Sequence, residues 1–380
     1  MIAKVDKYLS GWRAHLLSPA GRLVLINAVL DALPTYAMAA MLLPPAVIKA
    51  LDSLRHAFLW NAAEHASGAQ CLVAWERVCR SKAKGGLRVR DLATQNRCLL
   101  IKMLHGLHAC SSSSRWATWV WAELAGRSLL SGSTTRATGE HGKALNNLLP
   151  LYRGLTTVVV QDGKRTSFWF DSWLPCAAVA AAFPALLSHA AEPEVTVWRV
   201  RSRGLDCVLV PRLTTAGAAE RAALLTLMDG VVPTPGNNVR SSVLCPGPRG
   251  GIAAAAVYTL QRFGGVQAAF AEFIWGCAAP SRVRFFGWLL VQRRVHTRDV
   301  LLRKTIVTAE EAVCPICGGV LKTADHMILP VLLRTRSGVQ LGSTWPGAAT
   351  MLGLCRIWTH FAMNRYTCGI KLWQQIFQLS

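Results

Sequence analysis

The sequence predicts a mainly α-helical protein with a small central β hairpin and a helical, zinc-binding module towards its C-terminus. Apolar residues such as Ile26 and Leu30 recur at helical spacing in the N-terminal part, which is typical of amphipathic helices that pack on one another. An Asp-Gly pair between two apolar runs predicts the hairpin. Cys314 and Cys317, followed by His326, have the spacing of zinc ligands.

Prolines and glycines divide the N-terminal region. A helix is predicted from Pro45 to Trp60, after a proline pair that ends the preceding helical stretch. The pair Gly85-Gly86 predicts a turn. A further helix is predicted to begin near Leu92, with Asp91 as its cap.

The middle region changes character after a serine-rich linker at 111–114. Two short strands, over 156–160 and 166–170, flank Asp162-Gly163, whose glycine allows the positive φ that a tight turn requires. A helix is predicted from Ala218 to Met228.

A second linker is predicted over 233–251, which is rich in Pro, Gly and Ser. Helices over 252–262 and 266–277 then lead into the zinc module.

The charge balance is strongly basic. Forty-two Lys and Arg residues against twenty Asp and Glu residues give a net charge of +22. An excess of this size indicates a polyanionic partner, and RNA or DNA is expected. The alternative is compositional drift in a reading frame that is no longer under selection. A membrane surface is less favoured, because the cations form no single polybasic block.

A nuclear or cytoplasmic location is expected. The long uncharged stretches over 32–48 and 172–191 are interrupted by prolines, so neither is predicted to span a membrane. No signal peptide is recognisable at the N-terminus. The twelve cysteines lack regular spacing outside 314–317, which suits a reducing compartment better than a disulfide framework.

Short motifs along the chain point to one family. The C-terminal ones are Ala279-Pro280-Ser281-Arg282, Phe285-Phe286-Gly287-Trp288, Cys314-Pro315-Ile316-Cys317 and Ala324-Asp325-His326. In this order they resemble the zinc-binding domain at the C-terminal end of plant non-LTR (LINE-type) retrotransposon reverse transcriptases. Motifs further upstream resemble the same proteins, so that the likeness covers roughly residues 1–329: Leu17-Ser18-Pro19-Ala20-Gly21-Arg22, Gln95-Asn96 and Phe168-Trp169-Phe170-Asp171-Ser172-Trp173.

The resemblance implies four regions. Residues 1–110 correspond to the helical, thumb-like segment that follows the polymerase palm, and 111–235 to a middle region with the small β element. Residues 236–335 correspond to a degenerate reverse-transcriptase zinc-binding domain, and 336–380 to a divergent tail.

Zn²⁺ is the implied cofactor, held by Cys314, Cys317 and His326. The module is degenerate because Val331 stands where the fourth ligand is expected, and a structural zinc site is closed by four ligands. The candidate replacements are distant in sequence: Cys355, His360 and Cys368.

No catalysis is expected from this chain. The family's polymerase needs paired aspartates in its palm to hold two metal ions, and no two aspartates are adjacent here. The palm and the endonuclease domain are therefore expected to be absent. Lone acids such as Asp162 and Asp171 are expected to cap turns or to pair with arginine.

Two groups of basic residues are candidate nucleic-acid contacts. The first is interleaved with Phe285, Phe286 and Trp288 and comprises Arg282, Arg284, Arg293, Arg294, Arg298, Arg303 and Lys304. Arginine pairs with phosphate and aromatic rings stack on unpaired bases, but the spacing of Phe285 and Trp288 favours a place in the core.

The second group surrounds Gly85-Gly86, where exposed backbone would approach phosphate closely. It includes Lys82, Lys84 and Arg88 together with Arg77, Arg80 and Arg90. A solvated loop is the equal alternative.

The sequence thus predicts a truncated, retrotransposon-derived protein that binds RNA without catalysis. The alternatives are a non-functional transposon relic and an accessory part of a reverse transcriptase supplied in trans.

Overall fold

The computed structural model describes residues 16–61, 71–109, 139–175, 177–231, 236–314 and 319–328, with isolated positions in 1–15 and 110–138. These residues are mainly helical, which confirms the predicted class. The chain forms two compact units. The first comprises Met1–Leu33, Lys49–Asp91 and Gly264–Ser380, and the second comprises Pro34–Ile48 and Leu92–Phe263. The four regions inferred from the resemblance stay a prediction.

The helices account for most of the described chain. In chain order they are α1 (Pro19–Leu25), α2 (Thr35–Ala40), α3 (Pro45–Asn61), α4 (Trp75–Val78), α5 (Leu92–Ala109), α6 (Gly139–Gly154), α7 (Val179–Ala182), α8 (Pro184–Ser188), α9 (Val197–Arg203), α10 (Thr215–Asp229), α11 (Ala254–Gln261), α12 (Ala271–Trp275), α13 (Ser281–Val291), α14 (Arg298–Arg303), α15 (Ala309–Ala312) and α16 (Ala324–Ile328). The helices α3, α5 and α10 confirm three predictions. None of the described helices is long and apolar enough to cross a membrane.

In the first unit a buried ion pair joins three segments. Arg55 on α3 and Asp31 are each only 1 % exposed and form a salt bridge. Arg55 also donates to the Arg90 carbonyl at 3.0 Å, and the Arg90 amide donates to Asp31 at 3.2 Å. A buried charge is stable only when it is paired and hydrogen-bonded, so these contacts fix the chain around α3.

In the second unit Asn96 ties α2 to α5. Its side chain is fully buried and donates to the carbonyls of Met38 and Met41 at 2.7 and 2.9 Å, while it accepts the Leu43 amide at 2.7 Å. The asparagine of the Gln95-Asn96 motif therefore satisfies the backbone where α2 ends.

The core of the second unit has two clusters. One lies between α5, α6 and α11 and includes Leu104, Leu149 and Val257. The other gathers the aromatic residues Phe168, Trp169 and Trp173 with the buried face of α9 and α10. Burial of these large side chains provides much of the folding free energy.

The small β element differs from the prediction. Strand β1 (Thr157–Val159) pairs antiparallel with β2 (Val239–Ser241), with Thr157 opposite Ser241. The expected second strand at 166–170 is wrong, because Phe168 and Trp169 are fully buried in the core and these residues follow turns instead. The Asp162-Gly163 turn is confirmed, since Gly163 has a φ of +66°.

The predicted linker over 233–251 is also wrong for residues 236–251. This segment contains β2, and its Cys245 is fully buried. A bridge between Pro246 and Ile252 closes it into a tight loop. Pro, Gly and Ser are residues of tight turns as well as of linkers, and here they build turns on a packed core. The expected helix over 266–277 is shorter and spans Ala271–Trp275. The linker predicted at 111–114 lies outside the described residues.

A buried charge cluster includes Arg240 of β2. Asp171 is 1 % exposed and accepts two hydrogen bonds from Arg240, at 3.2 Å to Oδ1 and 2.5 Å to Oδ2, while the Arg153 Nε lies 3.3 Å from Oδ1. Burial alone would raise the pKa of Asp171, but the two guanidinium groups hold that pKa at about 2. The acid therefore pairs with arginine, as expected. Asp162 caps a turn by accepting the Lys164 amide at 3.2 Å.

Candidate nucleic-acid interface and zinc knuckle

In the first unit, Trp288 joins the two predicted basic groups. Its fully buried indole Nε1 on α13 donates to the Gly85 carbonyl at 2.8 Å. Gly85 has a φ of +77°, and a Cβ there would lie 2.9 Å from Phe270 Cζ, so only glycine allows this approach. Phe285 is also buried, which confirms that these aromatic residues belong to the core.

The glycine turn itself is closed to phosphate. Gly85 and Gly86 are both buried, and their amides donate to the carbonyls of Lys82 and Ser81 at 3.0 and 2.9 Å. The expectation that exposed backbone at this turn approaches phosphate is therefore wrong, since Gly85 is required by packing against Phe270 and Gly86 by close approach to the backbone of Arg80 and Arg77. Only the flanking side chains are open to solvent.

Two of those side chains, Lys82 and Arg88, form a basic surface with Arg284 of α13, whose charge also acts on Lys82. We define the basic surface by these three residues. Partial burial lowers the pKa of Lys82, and the charges of Arg284 and Arg88 lower that pKa further. The Lys82 ammonium lies 4.8 Å from the centre of the Trp275 ring. Lys82 and Arg88 are exposed and Arg284 is half-buried.

Arg284 shares one feature with several other arginines of the described chain. Its Nε is buried, and among the described residues it finds no hydrogen-bond partner. A buried donor without a partner costs free energy unless a ligand satisfies it. The positive charge of this side chain adds to the charges of Lys82 and Arg88.

The other predicted contacts divide by environment. Arg293 pairs with Asp325 at 3.1 Å and Arg303 with Asp299 at 3.3 Å. Arg298 donates to the Glu311 carbonyl at 2.7 Å and therefore supports the fold. The remaining ones are the exposed Arg282, Arg294 and Lys304 and the half-buried Lys84. Their binding of nucleic acid stays a prediction.

The candidate zinc ligands lie on a short segment that we call the knuckle, in which a β bridge joins Val313 and Leu321. The amide of Cys314, which is fully buried, donates to the Val320 carbonyl at 2.9 Å. His326 on α16 is 7 % exposed, and its amide donates to Thr323 Oγ1 at 3.0 Å. The bridge thus places the first cysteine and the helix that carries the histidine in one small fold.

The donor chemistry of this knuckle fits zinc. Burial lowers the pKa of His326, and the Lys322 charge lowers it further, which favours the neutral imidazole that metals bind. Cys314 provides a thiol in the same small fold, and thiolate and imidazole are the donors of structural zinc sites.

The described residues alone do not complete a site. They contain no group of three potential metal ligands. Cys317 lies outside the described residues, as do Val331 and the candidate fourth ligands Cys355, His360 and Cys368.

Two features of the structure were missing from the sequence-based prediction. The stacking of Lys82 on Trp275 joins residues far apart in the chain, and no local pattern indicates it. The partners of Asp171 were also not identified, because Arg240 lies in the segment that was predicted to be a linker.

Comparisons with known proteins agree with the motifs. The family model for the zinc-binding domain of reverse transcriptases matches residues 253–332. A putative ribonuclease H protein of Arabidopsis thaliana is 27 % identical over 352 residues, which cover 86 % of this chain and 53 % of that protein. The chain thus spans about half the length of that relative.

A shorter relative matches almost throughout its length. An uncharacterized mitochondrial protein of Arabidopsis thaliana is 31 % identical over 160 residues, which cover 38 % of this chain and 93 % of that protein. No solved structure matches the chain. The chain belongs to the plant retrotransposon-derived proteins that carry the zinc-binding domain of reverse transcriptases.

Proposed function

We propose that this protein binds single-stranded or looped RNA, without catalysis, through the basic surface of its first unit. The observation that carries the proposal is that the charges of Arg88 and Arg284 both act on Lys82, which places three cations near one another in the first unit. The proposed partner is the phosphate backbone.

The electrostatics of the basic surface favour an anion. Like charges held close together repel one another, and this repulsion is relieved when an anion binds between them. A phosphate group would pair with the lysine and arginine side chains of this surface. Each phosphate contact releases condensed counterions, so binding should weaken as salt increases.

A structural zinc ion would support this surface without taking part in a reaction. Cys314, Cys317 and His326 would hold it, and a ligand that replaces Val331 would complete the set. When bound, zinc would contribute folding free energy to the knuckle. Arg298 donates to the carbonyls of Glu311 and Val313 and so fixes the segment that leads into Cys314.

The absence of catalysis is also part of the proposal. The relative is named a putative ribonuclease H, and this chain covers 53 % of it. Phosphoryl chemistry with two metal ions needs carboxylates that are free to bind metal. Several described carboxylates are instead engaged by arginine, namely Asp31, Asp171, Asp206, Asp299 and Asp325.

Fluorescence anisotropy with a labelled single-stranded RNA tests the proposal. The triple variant Lys82→Gln/Arg88→Gln/Arg284→Gln should bind at least tenfold more weakly than the wild-type protein, since about 1.4 kcal/mol of lost binding free energy suffices for this. The control removes the same charge at exposed positions outside the surface: Lys49→Gln/Arg97→Gln/Lys102→Gln. Equal losses in both variants would contradict the proposed site.

Metal analysis of the purified protein tests the zinc site separately. About one zinc per chain is expected in the wild-type protein, and less in Cys314→Ser. Cys79→Ser is the control, since Cys79 is buried outside the knuckle. No zinc in the wild-type protein, with RNA binding retained, would remove zinc from the proposal but leave the basic surface.

A further inference from the structure

Trp198 is an exposed aromatic residue in the second unit. Half of its side chain is accessible, 50 %, although its neighbours Val197 and Val200 on α9 are buried in the core. A tryptophan that remains exposed on a basic protein offers a flat surface on which a base can stack.

Backbone hydrogen bonds join the segment that carries Lys164 to the start of α9, where Trp198 lies. The Trp198 amide donates to the Gly163 carbonyl at 3.2 Å, and the Val197 amide donates to the Thr166 carbonyl at 3.0 Å. Lys164 lies between these two acceptors in sequence, and its side chain is exposed. A tryptophan surface and an ammonium group are thus presented by adjacent segments.

The turn that carries Lys164 is held in place. The side-chain oxygen of Asn238 accepts hydrogen bonds from the backbone amides of Gln161 and Gly163 at 2.8 and 2.9 Å. A Cβ on Gly163 would lie 2.8 Å from the backbone nitrogen of Trp198, so this close approach needs the glycine. A fixed turn loses little entropy when a ligand binds.

The helix α9, which begins beside the turn, carries three arginines. Arg199 pairs with Glu192 at 2.7 Å and Arg201 donates to the Met228 carbonyl at 3.2 Å, while Arg203 is exposed. Glu192 offsets the charge of Arg199, and Asp162 accepts the Lys164 amide at 3.2 Å, so Lys164 and Arg203 are the cations left to attract phosphate here.

We infer that Trp198 and Lys164 form a contact for single-stranded nucleic acid, in which one unpaired base stacks on the indole and the adjacent phosphate binds the ammonium group. This inference rests on the proposed function, but it places a second contact in the other unit. It also predicts a preference for single strands, because the bases of a duplex are not free to stack on a side chain.

The test uses two RNA probes. One is a single-stranded oligoadenylate with a fluorescent aminopurine base, and the other is a duplex of the same length. Trp198→Ala should weaken binding of the single strand by about tenfold, within the range for one stacked base, and should reduce quenching of the aminopurine. Binding of the duplex should not change. Trp198→Phe should retain part of the effect, because the ring remains.

Tyr36→Ala is the matched control, since Tyr36 is an aromatic residue that is 89 % exposed on α2. It should bind both probes like the wild-type protein. If Trp198→Ala binds the single strand as tightly as the wild-type protein does, the inference is overturned and the proposed function stands. If the wild-type protein binds neither probe, both are overturned. Circular dichroism of each variant separates a loss of binding from a loss of fold.

Discussion

Replacement of Asp171 by asparagine should destabilise the second unit strongly. The carboxylate is buried between Arg240 and Arg153, and asparagine keeps its shape but removes the negative charge. Two buried guanidinium groups would then lack a counter-charge. Breaking a buried ion pair in this way costs about 3–5 kcal/mol.

The pKa of Asp171 gives the expected loss of stability in a second way. Burial opposes ionisation, but Arg240 and Arg153 lower the pKa from 3.8 to about 2. Relative to the unfolded chain, the folded protein therefore favours the charged over the neutral Asp171 side chain by roughly 2 kcal/mol. A loss of about 2–5 kcal/mol is therefore expected, which is a large part of the stability of a typical domain.

Urea unfolding followed by circular dichroism measures the effect. With a slope of about 2 kcal/mol per molar urea, the midpoint of the second unit should fall by about 1–2.5 M. The control is Asp206→Asn, because Asp206 makes the same kind of paired contact with Arg221, at 2.7 Å for both oxygens, but at the surface. An exposed pair contributes about 0–1 kcal/mol. Equal losses in the two variants would refute the reasoning.

Three further predictions concern other buried polar groups. Asn96→Ala removes the three hydrogen bonds that a fully buried side chain makes to the backbone, and should lower the free energy of unfolding by about 3 kcal/mol; a loss below 1 kcal/mol in urea unfolding would contradict this role. Burial holds the pKa of His108 at about 3 instead of 6.5, so the folded state resists the proton that the unfolded state takes up. Stability should therefore fall as the pH is lowered from 6.5 towards 3, and unfolding measured across this range should depend less on pH in His108→Leu; an unchanged dependence would argue against a buried neutral imidazole. Trp288→Phe leaves the Gly85 carbonyl without its donor and should cost about 1–3 kcal/mol in thermal unfolding, together with weaker RNA binding; unchanged affinity would show that the basic surface does not depend on this contact.

Local patterns predicted the helices and the core aromatic residues. The helix that begins at Leu92 and the buried positions of Phe285 and Trp288 follow from helical spacing. The Asp162-Gly163 turn follows from the conformational freedom of glycine. Such features depend on neighbours in the sequence, which is why they could be predicted.

Contacts between distant segments could not be predicted in the same way. Strand β1 pairs with β2 rather than with the next apolar run, because burial of Phe168 and Trp169 in the core outweighs their strand propensity. Lys82 and Arg284 lie on segments that the Trp288–Gly85 hydrogen bond joins, although they are far apart in sequence. Periodicity contains no information about such pairs.

The salt dependence of RNA binding tests the central claim most directly. The affinity of the wild-type protein for single-stranded RNA should fall steeply with salt, and the slope of its logarithmic plot should become shallower by about 2 when Lys82, Arg88 and Arg284 are replaced by glutamine, since each phosphate contact contributes about 0.7. The same slope in the wild-type protein and in this variant would contradict the assignment of the basic surface as the RNA-binding site.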